Sequence, residues 1–311
     1  MIGERIGNYT ILGIVGSGSM GTVYKAEDPA GQSVAIKLVR SQVLYSMEKR
    51  ERFLQCLLVA SGIRHKGVCP ILDLFDDNDD FFIVMPFIQG RTLQHYMDKR
   101  PLPWSDALDV GLAIGSALES IHDAGAAHRG LKPSNIWIVD GEASPVLLSD
   151  CCIARFTEIA RRGRIRSSSL GIDFADTLIP VGALAYMSPE QVRGESVDHR
   201  SDIFSFGVVL YEMLTGRHPF EARSSLSRIS AILDAEPASL PSHPVTISAP
   251  MESILRRALA KKPEDRYQKV SELMADLAGT RPIASAEYSR SAPSPGIRGW
   301  FSSLFSHVLR K

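Results

Sequence analysis

His128-Arg129-Gly130-Leu131-Lys132-Pro133-Ser134-Asn135 is the stretch on which the reading of this chain turns. A helical pattern leads into it from Ser105 to Ala124: Leu108, Leu112, Ile114, Leu118 and Ile121 recur at helix spacing, Ser105 is the expected N-cap and Gly125 ends the helix. Downstream an apolar strand runs into a carboxylate, Leu147-Leu148-Ser149-Asp150-Cys151-Cys152-Ile153-Ala154-Arg155. Near the N-terminus, Tyr9 to Val15 is β-prone and enters Gly16-Ser17-Gly18-Ser19-Met20-Gly21-Thr22-Val23, after which Tyr24-Lys25-Ala26 returns as a second strand. A G-x-G-x-x-G by itself is a weak signal, because glycine clusters also make ordinary hairpins and dinucleotide-binding turns. A dinucleotide turn opens a helix, whereas Val23 to Ala26 is β-prone. Residues without side chains let backbone N–H groups come close to phosphates.

In this order and at these spacings the segments resemble the eukaryotic-type serine/threonine protein kinases, most like those of bacteria. The kinase catalytic loop reads H-R-D-L-x-x-x-N, with Asp as base and Asn on a magnesium ion; here the Asp position is Gly130. The glycine stretch fits the kinase form G-x-G-x-x-G-x-V, and Val34-Ala35-Ile36-Lys37 resembles the strand whose lysine holds the α and β phosphates. Leu147 to Arg155 resembles the strand and D-F-G turn, with Cys151 and Cys152 in place of Phe and Gly. Pro86-Phe87-Ile88-Gln89-Gly90 resembles the hinge between lobes. Gly182 with Ser188-Pro189-Glu190 resembles the end of the activation segment, and Asp198 to Gly207, with Asp202, the start of a buried helix. Arg266 in Pro263-Glu264-Asp265-Arg266-Tyr267 is the ion-pair partner that the resemblance implies for Glu190. The likeness runs from about Asn8 to Gly279 and implies an α+β, two-lobed protein kinase fold: a β-rich N-lobe, a helical C-lobe and a cleft between them.

For the cleft, the resemblance implies ATP and Mg²⁺ as cofactors. Gly16, Gly18 and Gly21 are then the phosphate cradle, Lys37 the phosphate-pairing lysine, and Val23, Ala35, Met85 and Phe87 the surroundings of the adenine. Asn135 and Asp150 are the implied oxygen ligands for Mg²⁺, and Lys132 a contact for the terminal phosphate. Trp137 stands where the family has a small aliphatic residue under the adenine ring; its indole either stacks on the base or fills the pocket. The departures fall on phosphoryl transfer. Gly130 offers nothing to accept the proton of a substrate hydroxyl, assistance worth about 10²–10⁴-fold. Counting back from His65, the helix glutamate that pairs with the lysine in active kinases falls on Cys56, within a helical stretch of about Ser46 to Ser61, which leaves Lys37 unpositioned. Glu48 and Glu51 on that helix read as exposed charges beside Lys49, Arg50 and Arg52. The packing column between the lobes looks thin: His128 remains, Cys151 replaces Phe, and Ala60 stands one turn after Cys56. No catalytic set is intact. The expectation is an ATP-binding pseudokinase that regulates or scaffolds protein partners. The alternative is a weakly active Ser/Thr kinase working through Lys37, Lys132, Asn135 and Asp150, because positioning and charge neutralisation dominate phosphoryl transfer.

The rest of the chain bounds partners and setting. Its 311 residues suffice for two lobes, and lysine plus arginine equals aspartate plus glutamate at 35 each, so no global field points to nucleic acid. The four cysteines, Cys56, Cys69, Cys151 and Cys152, include an adjacent pair that cannot easily bridge to itself, and show no metal-ligand spacing. In a kinase fold Cys56, Cys151 and Cys152 converge, and are read as small apolar fillers. Met1 to Asn8 lacks the apolar stretch of a signal peptide and no apolar run approaches a membrane span, so the expected location is cytoplasmic. Arg161, Arg162, Arg164 and Arg166 precede Ser167-Ser168-Ser169 in a stretch read as a basic loop, with a phosphorylation site or docking strip as the alternative. Residues 280–296 read as a Ser/Pro-rich linker. Residues 297–311 read as an amphipathic helix: Trp300, Phe301, Leu304, Phe305, Val308 and Leu309 form a stripe flanked by Arg298, Arg310 and Lys311. It is expected to lie on a membrane surface, dock on a partner or pack back on the main domain; the first makes the chain a membrane-surface adaptor.

Overall fold

The computed structural model describes residues 2–18, 21–39, 47–77, 80–139, 146–152, 184–240 and 249–280. The basic loop, Gly182, the linker from residue 281 and the terminal amphipathic stretch lie outside the described residues.

Six antiparallel strands build the N-lobe: β1 (Arg5–Ile6), β2 (Tyr9–Gly18), β3 (Gly21–Glu27), β4 (Ser33–Val39), β5 (Asp73–Asp77) and β6 (Asp80–Pro86), in the order β1-β2-β3-β4-β6-β5. Side chains alternate across a strand, so β4 serves two faces. Val34, Ile36 and Leu38 pack with Ile11, Tyr24, Ala26 and Val84. Ala35 and Val39, on the opposite face, pack with Met85, Ile83 and Phe81 of β6 and with Phe53 and Leu57 of helix α1 (Met47–Gly62). Each large apolar side chain buried this way stabilises by about 1.5–3 kcal/mol. The same alternation places Lys37 on the α1 face, 5 % exposed.

The segment from Val68 joins the N-lobe sheet only from Leu72, whose N donates to Val84 O at 2.8 Å. Its first residues turn to the C-lobe instead: Cys69 N donates to Leu148 O and Leu148 N to Gly67 O, both at 2.8 Å. Pro70, which has no N–H to give, follows at once.

The C-lobe begins with a small sheet of β7 (Gly90–Thr92), β8 (Ile136–Val139) and β9 (Val146–Leu148), and with helix α2 (Leu93–Met97), capped by the Thr92 hydroxyl. Helix α3 (Trp104–Asp123) starts one residue earlier than expected. Pro103 takes the N-cap position and the expected cap, Ser105, instead donates its hydroxyl to Asp106. Gly125 follows its C-terminus at φ +73°. Helices α4 (Pro189–Arg193), α5 (Arg200–Thr215), α6 (Ser225–Asp234), α7 (Ala249–Ala258) and α8 (Val270–Gly279) complete the lobe. Buried residues of α3, α5, α7 and α8 share one core with Ala60 of α1, with Ile63 just after it and with Cys151 and Cys152. The Glu190–Arg266 ion pair forms as the motifs imply, with both guanidinium–carboxylate bonds at 2.7 Å and both residues buried. No helix among the described residues is long and apolar enough to cross a membrane.

Candidate active site

Asp202, wholly buried near the start of α5, shapes the loop on which the sequence turns. Its Oδ2 accepts from His128 N and its Oδ1 from Arg129 N, both at 2.7 Å, and His122 Nε2 lies 2.9 Å from Oδ2. Burial alone pushes this carboxyl up, and the His122 contact with the nearby charges and N–H groups more than reverses that, leaving it below the usual range. Arg129 is thereby held at φ +62°, a left-handed conformation that non-glycine residues seldom adopt. The loop then closes on itself. Gly130 N donates to His128 Nδ1 at 3.3 Å, and Asn135 Nδ2 donates to Gly130 O at 2.9 Å. His128 is fully buried, and burial holds its imidazole below its ordinary value. The loop keeps its shape around a position that carries no carboxylate.

The turn after β9 brings the next groups in. Asp150 and Cys152 both sit at positive φ, +61° and +66°. Cys152, standing where the resemblance implies glycine, adopts the backbone conformation that glycine adopts most cheaply. Its Sγ is 3.4 Å from Ala127 O and 3.6 Å from Cys151 Sγ, and both thiols are buried. Hydrogen bonding to Cys152 and burial push the Cys151 thiol well above its normal value, as burial pushes the Cys69 thiol to about 12. These are packing thiols, and among the described residues no three His, Cys, Asp or Glu side chains converge as a metal cluster.

Lys37 is not left unpositioned, contrary to the sequence expectation. Its ammonium lies 2.7 Å from Asp150 Oδ1, the two side chains being 6 % and 17 % exposed. With Cys56 on α1 offering no charge, the lysine turns to the carboxylate that remains. Burial would raise the Asp150 carboxyl, but the charge and hydrogen bond of Lys37, with Lys132 behind it, hold it below the ordinary range. Lys132 is half-buried, and desolvation moves its ammonium down while Asp150 moves it up.

The remaining predicted residues lie on the N-lobe strands, just after β6, and on β8. Gly16 and Gly18 end β2 opposite Val23 and Gly21 of β3. Gly21 has φ +137°, and a Cβ there would fall 1.7 Å from Leu38 O, so only glycine fits. Val23, Ala35, Met85 and Phe87 belong to one apolar cluster, with the Lys25 ammonium 4.8 Å from the centre of the Phe87 ring. Trp137 is half-buried on β8 and donates its indole N–H to Ser149 Oγ at 3.1 Å. A Mg²⁺ at this site would have Asp150 and the Asn135 side-chain oxygen as protein ligands, since the Asn135 amide N–H is already spent on Gly130; one carboxylate and one amide fit the ion only with phosphate oxygens to complete its shell.

Sequence reasoning missed three things. The Lys37–Asp150 pair and the Trp137–Ser149 bond carry no local signal. The third is a cavity of about 390 Å³ between α1 and the catalytic loop, lined by Cys56, Val59, Arg129, Cys152 and His199 among others. Of the column that looks thin in the sequence, Cys56 lines this cavity and is its one signal.

Comparison with known proteins agrees with this geometry. The family model for the protein kinase domain matches residues 9–276. The serine/threonine-protein kinase PrkC of Bacillus subtilis is 34% identical over 280 residues, which cover 89% of this chain and 41% of that protein. The serine/threonine-protein kinase pkn2 of Myxococcus xanthus is 33% identical over 297 residues, 94% of this chain and 34% of that one. The chain thus spans about two fifths or less of the length of these curated relatives. Among solved structures, the kinase domain of Mycobacterium tuberculosis PknI aligns with a TM-score of 0.66 at 23% identity, over 90% of this chain and 98% of that domain, a likeness of fold. With the loop, the lysine strand, the aspartate turn and the Glu190–Arg266 pair all in place, the chain belongs to the protein kinase domain family.

Proposed function

We propose that this kinase-fold chain is a pseudokinase: it binds ATP and regulates or scaffolds protein partners in signalling, rather than phosphorylating them efficiently. The observation that carries the reading is Gly130. The loop around it is held by Asp202, His128 and Asn135, yet no carboxylate stands where a substrate hydroxyl needs its proton taken. Nucleotide binding is supported by Lys37, Lys132, Asn135 and Asp150 gathered under the glycine hairpin, with ATP and Mg²⁺ as the ligands that the family uses. The test is incorporation of γ-phosphate into a general protein substrate by the purified chain and by its Gly130→Asp variant. Background incorporation that rises by about 10²–10⁴-fold in the variant supports the reading. Incorporation by the unaltered chain that disappears in Asp150→Ala overturns it in favour of a second reading, a weakly active Ser/Thr kinase, which the retained lysines and magnesium-type ligands favour.

The cytoplasm is the setting proposed for this activity. Residues 280–296 are proposed as a linker, and the apolar stripe of residues 297–311 as the contact for a partner or an anionic membrane surface. Liposome flotation that is unchanged by truncation at Gly296 rejects the membrane role.

A further inference from the structure

Charge counting in the cleft gives a result that the family resemblance does not. Two positions at which active kinases carry carboxylates are Cys56 and Gly130. Among the described residues the cleft therefore holds two ammonium groups, Lys37 and Lys132, against one carboxylate, Asp150. The surplus is one positive charge.

The arrangement of the three groups sharpens the point. Asp150 already has Lys37 at 2.7 Å on Oδ1, so a divalent cation entering the site must compete with an ammonium for the one carboxylate that the described residues place there. Mg²⁺ gives up its water reluctantly and gains most from anionic ligands; both ligands that the resemblance assigns it, Asp150 and Asn135, are present, but the carboxylate is already held by Lys37. Lys132 is half-buried, and its ammonium makes no hydrogen bond or ion pair within the described residues. A triphosphate entering beneath the glycine hairpin meets two ammonium groups, of which Asp150 offsets only one. In a carboxylate-rich cleft the metal's task is to cancel charge between carboxylates and phosphates. In this one there is little such charge to cancel.

Building on the nucleotide-binding reading, we propose that the cleft takes a nucleoside triphosphate as the free polyanion, with Lys37 and Lys132 in place of a divalent cation.

Isothermal titration of the full 311-residue chain with ATP, once in EDTA and once in excess Mg²⁺, tests this. The expected result is binding in EDTA with an affinity within about threefold of that in Mg²⁺, a difference under 1 kcal/mol. Lys132→Ala is expected to weaken EDTA binding about tenfold, and Gly130→Asp with Cys56→Glu to make binding depend on Mg²⁺. Thermal melts confirm that each variant is folded, and Lys132→Ala serves alone if the double variant is not. Binding only in the presence of Mg²⁺ overturns the proposal and leaves the nucleotide-binding reading standing. Binding in neither buffer overturns both.

Discussion

Trp137 and Ser149 join β8 to the turn that carries Asp150: the indole N–H reaches the Ser149 hydroxyl at 3.1 Å, and Ser149 is the residue immediately before Asp150. The ring is thus fixed at one edge, and the residue is half-buried. A fixed aromatic face is a stacking platform, and base–aromatic stacking contributes about 1–3 kcal/mol. Trp137→Val is expected to weaken ATP binding about tenfold in a calorimetric titration. Tighter binding by the variant would show that the indole obstructs the base instead. Trp137→Phe keeps a ring but loses the hydrogen bond, and should lower unfolding stability by about 1 kcal/mol in urea.

The Glu190–Arg266 pair predicts an asymmetry between single and double variants. Removing one partner of a buried pair leaves an uncompensated charge, a loss of about 3–5 kcal/mol, whereas replacing both is much milder. Arg266→Met should therefore be far less stable than Arg266→Met with Glu190→Leu, measured by urea midpoints. The pH dependence has a definite sign. Burial raises the Glu190 carboxyl, but Arg266 and the Ser201 hydroxyl bring it below its ordinary 4.5. Its contribution is therefore complete above pH 4.5 and is lost as pH falls through the lower folded value.

His218 should set a second, milder acid transition. Its Nε2 donates to Ala185 O at 2.8 Å and its Nδ1 accepts from Phe220 N at 3.0 Å, so the neutral ring satisfies both partners. Burial lowers its pKa from 6.5 to about 4. The unfolded chain takes up a proton first as pH falls, so stability is whole above pH 6.5 and declines toward pH 4, by up to about 3 kcal/mol. His218→Gln should flatten the stability profile across that interval while leaving the steeper loss below pH 4.5.

Gly21→Ala tests the hairpin over the cleft. At φ +137° and with Leu38 O in the way of any Cβ, the β2–β3 turn has to move. The expected outcome is a stability loss of about 2 kcal/mol or more, together with disappearance of the ATP-induced rise in melting temperature.

What was legible in the sequence, and what was not, divides along a physical line. The strands, the helices and the Glu190–Arg266 pair were legible because each rests on local period or on a motif whose partners both survive. The partner of Lys37 was not. The motif assigns that lysine a glutamate on α1, the chain has Cys56 there, and only the fold shows that Asp150 is the nearest remaining anion. Ser105 misled because a hydroxyl near a helix start resembles a cap, while Pro103, with its fixed φ, already provides the entry. The residues from Val68, divided between the two lobes, show that propensity does not say which sheet a strand will join.

Asp202 has a consequence in time as well as in shape. Because its carboxylate grips the backbone of His128 and Arg129 from inside the C-lobe core, the catalytic loop is formed before any ligand arrives. Association then has no loop-ordering step to wait for, so the observed rate of binding should rise in direct proportion to ligand concentration without reaching a plateau.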